Sequence, residues 1–195
     1  IVEYTDNDKS SVCVDIGANV GAFCYVASGL FENIYALEAS KMTYDVAYEN
    51  MLDKSIKNVH LYHMAAGAKT GEFVKLRKHI DKNGISESGN STVLYNDKTK
   101  NTVSEEYENC LTLSLPDMFN FFQFEFIDYL KIDCEGSEYA FLNGQDLSKV
   151  GFIAAELHTG YLTDEEVSEL IGHIEKTHKL KFTSPYNFYA TKKEA

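Results

Sequence analysis

No stretch of this sequence approaches the roughly 18–20 consecutive apolar residues that a membrane-spanning helix requires, so no segment is expected to cross a bilayer. There is no Pro-rich linker, no internal repeat and no break in composition, which leaves a single domain over residues 1–195. The four cysteines, Cys13, Cys24, Cys110 and Cys134, contain no CxxC pair, and all but Cys24 stand in apolar or strand-like contexts. They are expected to be reduced and mostly buried, in keeping with a cytoplasmic protein. The N-terminus, Ile1-Val2-Glu3-Tyr4-Thr5-Asp6, lacks the basic start and apolar stretch of a signal peptide. It opens without Met, which leaves room for a preceding segment.

Positive charge is also scarce. The 18 Lys and Arg stand against 30 Asp and Glu, a formal charge of −12. Such a surface repels a phosphate backbone unless a local basic patch overrides it. The two basic runs, Lys75-Leu76-Arg77-Lys78-His79 and Lys192-Lys193, are short and read as a solvated loop and tail. Nucleic acid is therefore not the expected partner. Asn90-Ser91-Thr92 is a formal glycosylation sequon of a kind that arises often by chance.

What is present is globular: 44% hydrophobic and 25% charged residues, proportions that exclude a disordered or collagenous chain. Strand-like and helix-like periodicities alternate. Residues 11–16 read as a first strand, 20–30 as a helix and 33–38 as a second strand. Ser40 caps a helix whose apolar face is Tyr44, Ala47, Tyr48 and Met51, and residues 59–63 form a third strand. Residues 72–76 and 102–113 read as strands, separated by a polar stretch, 77–101, long enough to be a lid or insertion loop. Alternation resumes with a helix after Ser114, with Pro116 in its first turn, and a strand over 126–133. A short helix at 137–142 and a strand over 150–156 follow. Thr163-Asp164-Glu165-Glu166 is a capping box leading into a helix with Val167, Leu170, Ile171 and Ile174 on one face. Residues 180–182 and 187–190 around Pro185 suggest a terminal antiparallel hairpin. Strands alternating with helices imply a mostly parallel α/β sheet covered on both faces, with ligands at the carboxyl ends of its strands.

The candidate site residues stand at those strand ends. The first strand runs into Asp15-Ile16-Gly17-Ala18-Asn19-Val20-Gly21. A dinucleotide fingerprint needs a second Gly to admit a pyrophosphate, and Asn19 occupies that place. The loop thus favours a nucleoside cofactor without a diphosphate. Glu38, 21 positions after Gly17, suits the carboxylate that receives the ribose hydroxyls. After a later strand, Lys131-Ile132-Asp133-Cys134-Glu135-Gly136-Ser137-Glu138 carries carboxylates that repel one another unless a sulfonium, a metal or Lys131 offsets them. First-turn preference for acids accounts for Glu138 but poorly for Asp133. Alternation along Glu156-Leu157-His158 puts Glu156 and His158 on the side where Asp133 points. Carboxylate neighbours are expected to raise the His158 pKa towards working pH, as suits a general base. His60, His63, His79, His173 and His178 read as structural.

In this order, Val14-Asp15-Ile16-Gly17-Ala18-Asn19-Val20-Gly21, the Lys131–Glu138 segment and Glu156-Leu157-His158 resemble the FkbM-type S-adenosylmethionine-dependent methyltransferases. The similarity runs from about Val12 to about His158. The glycine loop is shared by many methyltransferases; the K-I-D-x-E-G-x-E segment is far more particular. The resemblance implies a class I methyltransferase Rossmann-like fold and S-adenosylmethionine as cofactor. It assigns Asp15, Gly17, Asn19 and Gly21 to the cofactor loop and Glu38 to the ribose; Ala65 and Asp133 join that set. Ala39 departs from the Pro common after the acidic residue, and the region before the fold is short.

The activity implied is O-methylation of a hydroxyl on a sugar or other small molecule. His158 or Asp133 would take the proton, with Glu135 and Glu156 orienting substrate or base. Asp133, Glu135 and Glu156 are the oxygen ligands should a divalent metal take part, and Ser91 is the candidate lid contact. Two rivals remain at this stage, a nicotinamide-dependent oxidoreductase, which Asn19 disfavours, and a non-catalytic cofactor-binding domain.

Overall fold

Strand β1 (Val12–Ile16) is an interior strand of the sheet, with all five residues buried. β-Branched and apolar residues on both faces suit a parallel strand covered on both sides. In the computed structural model, residues 11–77 and 107–194 are described. After β1 come helix α1 (Ala22–Ala27), β2 (Asn33–Glu38), α2 (Lys41–Asp53), β3 (Val59–His63), β4 (Ala65–Ala66) and β5 (Phe73–Arg77). The second half holds β6 (Tyr107–Leu113), α3 (Leu115–Phe122), β7 (Ile127–Ile132), α4 (Glu138–Leu142), β8 (Val150–Glu156), α5 (Asp164–Ile174), β9 (His178–Phe182) and β10 (Asn187–Lys192).

Seven strands form the main sheet in the order β3-β2-β1-β7-β8-β10-β9, and β4-β6-β5 form a small second sheet. In the main sheet β10 runs antiparallel to both β8 and β9, and the other pairs are parallel. The chain builds outward from β1 to β3, then resumes on the opposite side of β1 with β7. The strand order therefore reverses between β1 and β7, where a cleft opens at the carboxyl ends. Register aligns those ends: Ile16 pairs with Ile132, and the Asp133 N–H donates to the Ile16 carbonyl at 3.0 Å.

The two faces bury different clusters. Val12, Val14 and Ile16 pack with Leu130, Ile132, Phe141, Leu142 and Leu170, while Cys13, Ile34 and Ala36 pack with Cys24, Ala27 and Phe31 of the opposite layer. Two caps match the sequence: the Ser40 side chain accepts from the Thr43 N–H, and Thr163 and Glu166 form a reciprocal capping box. Helix α1 is shorter than the expected 20–30 because Gly21, at φ 84°, is its N-cap, and it ends before Gly29. Strand β4 has no sequence counterpart; its two alanines pair with Thr112 and Leu113 of β6. Among the described residues no helix is long and apolar enough to cross a membrane.

Candidate active site

The loop after β1 is folded onto the end of β2. Gly17 and Ala18 both donate their N–H to the Leu37 carbonyl at 3.0 Å. Gly17 has φ 78°, and a Cβ there would fall 1.7 Å from the Asp133 carbonyl oxygen. Only glycine permits both the backbone and that approach. Asn19, at φ 50°, is among the few other residue types that tolerate this region; its side-chain oxygen accepts the Val20 N–H at 2.8 Å.

The Asn19 N–H donates to Glu38 Oε2 and the Ser40 N–H to Glu38 Oε1, each at 2.8 Å. Glu38 is thus fixed by one donor on each oxygen, with the second lone pairs still available to accept. Burial pushes its carboxyl above the usual range, although the Ser40 and Asn19 donors pull it down.

Gly17, Asn19, Glu38, Ala65 and Asp133 of the expected cofactor set line one cleft. Leu37, Met64, Ala66 and Leu76 give it an apolar wall, and Asp133, Glu135 and Ser137 close its other end. Asp15 and Gly21, the other members of that set, do not line the cleft. Asp15 is 0% exposed; its carboxylate lies 3.0 Å from Lys131 Nζ and accepts from Cys24 Sγ at 3.1 Å. It stabilises the loop from behind. Gly21 starts α1, where a Cβ would meet the Met51 methyl at 2.9 Å. The expected lid over 77–101, with Ser91, lies outside the described residues apart from Arg77 at the end of β5.

At the far end of the cleft three side chains converge. His158 Nε2 is 3.7 Å from Asp133 Oδ1 and 3.5 Å from Glu135 Oε2. Glu135 is reached through a left-handed turn, with φ 51° at Glu135 and 101° at Gly136. A non-glycine residue there costs roughly 1–2 kcal/mol, strain of the kind kept where a side chain must be aimed. Ligand atoms of Asp133, Glu135 and His158 all lie within 4.8 Å of one another, a set able to hold a metal ion. Glu156, expected as its third member, instead lines a neighbouring groove with Lys131, Tyr129 and Tyr189. Its strand ends at Glu156, so alternation does not carry on to His158.

Glu138 is the residue that sequence reasoning passed over as a first-turn acid. Its side chain is 0% exposed and lies 2.8 Å from His158 Nδ1. The same oxygen accepts the Gly136 N–H at 3.1 Å. A carboxylate only accepts, so His158 Nδ1 is the protonated donor and Nε2 faces Asp133 and Glu135. The signal was in the sequence: Glu138, Phe141 and Leu142 share the buried face of α4, at helical spacings of three and four.

Burial alone would lower the His158 pKa, but the hydrogen bond and charge of Glu138, then Glu135 and Asp133, carry it to about 9. The three carboxylates thus favour the protonated imidazole, the direction expected from the sequence. Burial lifts Glu135 to about 7, opposed by His158 and aided by Asp133, Glu138 and Glu156. For Lys131, burial acts downward, and Asp15 followed by Asp133 overcomes it to hold the ammonium above its usual value.

Comparison with known proteins fits this geometry. Residues 15–181 match the methyltransferase FkbM domain. Among solved structures, precorrin-6y C5,15-methyltransferase from Geobacter metallireducens is 14% identical with a TM-score of 0.52, covering 95% of this chain and 82% of that one. SMU.1697c from Streptococcus mutans, solved with S-adenosylhomocysteine, is 13% identical with a TM-score of 0.51, covering 95% and 90%. A dimethyladenosine transferase from Plasmodium falciparum is 10% identical with a TM-score of 0.52, covering 95% and 57%. At such identities these neighbours establish the class I methyltransferase fold. No curated protein sequence matches the chain.

Proposed function

The chain belongs to the FkbM methyltransferase domain family and is an S-adenosylmethionine-dependent methyltransferase; from that premise we propose that it methylates a hydroxyl oxygen of a sugar or another small molecule. The oxidoreductase alternative gives way to the family membership. The observation that carries the proposal is that Asp133 and Glu135 line the same cleft as Gly17, Asn19 and Glu38 while also belonging to the His158 cluster.

The cleft suits the cofactor. Glu38 offers the second lone pair of each oxygen to the vicinal diol of the ribose. Leu37, Met64 and Leu76 offer an apolar wall to the adenine. Gly17 leaves backbone where a side chain would intrude. When bound, S-adenosylmethionine supplies a methyl group activated by a sulfonium.

A hydroxyl is a weak nucleophile until its proton is taken. Asp133 lies in the cleft and takes that proton, with His158 and Glu135 behind it. With the cofactor bound, transfer would form a C–O bond as the C–S bond breaks and the sulfur loses its charge, and Asp133 would receive the hydroxyl proton. Holding the acceptor in line is the larger part of the catalysis. The net charge of −12 supports a small acceptor over a nucleic acid, and four free cysteines support the cytoplasm.

The test uses radiolabelled methyl transfer to a panel of sugars and hydroxylated small molecules, beside thermal shift with S-adenosylhomocysteine and NAD. S-Adenosylhomocysteine, and not NAD, is expected to stabilise the protein. Asp133→Asn is expected to lower turnover about 10²–10⁴-fold, the usual span for a general base. Cofactor binding without transfer to any hydroxyl would instead mark a non-catalytic domain. Unchanged turnover in Asp133→Asn would remove that residue from the chemistry.

A further inference from the structure

We propose that Asp133, Glu135 and His158 form a binding site for one divalent cation of the Mn²⁺ type, held in place through Glu138, at the end of the cofactor cleft. This deepens the reading of the protein as a hydroxyl methyltransferase and rests on it for its catalytic meaning, though not for its chemistry of binding.

The donor set is mixed, two carboxylates and one imidazole, which suits a first-row divalent cation better than Ca²⁺. Three donors about 2.2 Å from a common ion at right angles stand about 3 Å apart. The His158 Nε2 separations, 3.7 Å from Asp133 Oδ1 and 3.5 Å from Glu135 Oε2, exceed that by about half an ångström, and the whole set lies within 4.8 Å. The donors come from two places in the chain, the turn after β7 and the segment after β8, and the sheet brings them to one point.

Glu138 is the independent observation. It is not a member of the donor set, and its side chain is fully buried. One oxygen holds His158 Nδ1 at 2.8 Å; the other, Oε2, is buried with no hydrogen-bond partner among the described residues. Metal-binding histidines characteristically give their second ring nitrogen to such a carboxylate, which fixes the ring and its tautomer. A buried anion with one oxygen unsatisfied is costly. The protonated imidazole offsets that charge when no cation is present, and a dication on the Nε2 side of the same ring would take over the role of its proton. Lys131 offsets part of the acid at this cluster, 3.6 Å from Asp133 Oδ2, but it is shared with Asp15 at 3.0 Å.

A cation here lowers the pKa of an acceptor hydroxyl that joins it and orients that oxygen towards the cofactor. The balance of the transfer is unchanged: with Asp133 Oδ1 turned to the cation, the proton would still leave to Asp133, on Oδ2.

The experiment titrates the chelator-treated full chain with Mn²⁺, followed by electron paramagnetic resonance, with S-adenosylhomocysteine thermal shift as the check on folding. One Mn²⁺ per chain is expected. His158→Ala and Glu135→Gln should each weaken it at least tenfold. Glu138→Gln, altering only a positioning residue, should weaken it about 10–100-fold, with the thermal shift retained in each variant that is scored. Absence of a stoichiometric site in folded, cofactor-binding protein overturns the inference. So does Mn²⁺ affinity that is the same in all three variants. The activity arm separates this inference from the reading beneath it. Full-rate transfer in excess chelator overturns the cation's role and leaves methyl transfer standing. Mn²⁺ bound at the expected stoichiometry with no transfer to any hydroxyl supports the cation site and defeats the hydroxyl reading.

Discussion

Lys131 Nζ lies 3.0 Å from Asp15 Oδ1 and 2.8 Å from the Gly17 carbonyl oxygen. The two residues are register partners on β7 and β1, and side chains of paired neighbours share a face. A buried carboxylate is thereby matched to an ammonium that also fixes the cofactor loop through its backbone. Breaking one side of such a pair leaves an uncompensated buried charge. Lys131→Met is therefore expected to cost about 3–5 kcal/mol, measured by urea unfolding. The Asp15→Asn/Lys131→Met double variant should lose clearly less than the sum of the single losses; strict additivity would show that the two are not coupled.

Gly17→Ala places a methyl where the Asp133 carbonyl oxygen stands, 1.7 Å away, at a φ of 78°. Either the loop or the end of β7 must move. Overpacking of this kind typically costs 1–3 kcal/mol, and here positive φ adds roughly 1–2 kcal/mol. The melting temperature should fall, and affinity for S-adenosylhomocysteine should fall with it because Gly17 lines the cleft. Wild-type affinity in a calorimetric titration would contradict this account of the loop.

Glu38 sets a pH dependence on cofactor binding. Burial raises its carboxyl, with the Ser40 and Asn19 donors opposing, so protonation begins at higher pH than for an ordinary carboxylate. The ionised form is the one that accepts from both N–H groups and from ribose hydroxyls. Affinity for S-adenosylhomocysteine should therefore weaken as pH falls through that raised value. For folding alone the sign is opposite: the contribution of a raised carboxyl is fully present below its unfolded pKa and declines as pH rises through the folded one. Glu38→Gln should bind about 10–100-fold more weakly, from the loss of charge-assisted hydrogen bonds worth roughly 1.5–3 kcal/mol. Its residual affinity should be flatter with pH. A variant with the wild-type pH profile would assign that profile to another group.

His178 sets a pH dependence on stability. It is fully buried, and its Nε2 contacts the Val150 carbonyl oxygen at 2.9 Å. Burial depresses its pKa, the Val150 contact opposes this, and Lys192 and Lys193 lower it further. In the unfolded chain it binds a proton near the ordinary value of about 6.5, while the folded protein still does not. The unfolded state thus binds more protons in that window, and stability falls as pH drops below about 6.5. Urea midpoints of wild type and His178→Gln should converge between pH 7.5 and the acid side. A constant gap would exclude His178 as the source.

Elements with strong local pattern were legible in the sequence. The capping box at Thr163–Glu166, the Ser40 cap and the alternating strands depend on residues within a few positions of one another. Strand β4 was not legible, because two alanines carry no period and their partners Thr112 and Leu113 lie in a distant strand. In the cleft, the strand-end motifs named Gly17, Asn19, Glu38 and Asp133 from local chemistry. Local chemistry also named Asp15, whose acid was visible but whose direction was not. Glu138 was assigned to a helix start because first-turn preference is a local rule, whereas its contact with His158 is made across 20 positions.

By itself the sequence determined the family, the alternating α/β order and the strand ends at which polar residues gather, since each is written in short stretches. Only the tertiary structure decided which carboxylates face one another. Asp15 meets Lys131 through strand register, and Glu138 meets His158 through the packing of α4 beside the end of β8. These are distances between segments, set by the sheet, and no local periodicity specifies them. The same packing places Glu156 in the adjoining groove rather than among the His158 contacts, and it gathers acid that first reads as surface charge at one end of a cleft.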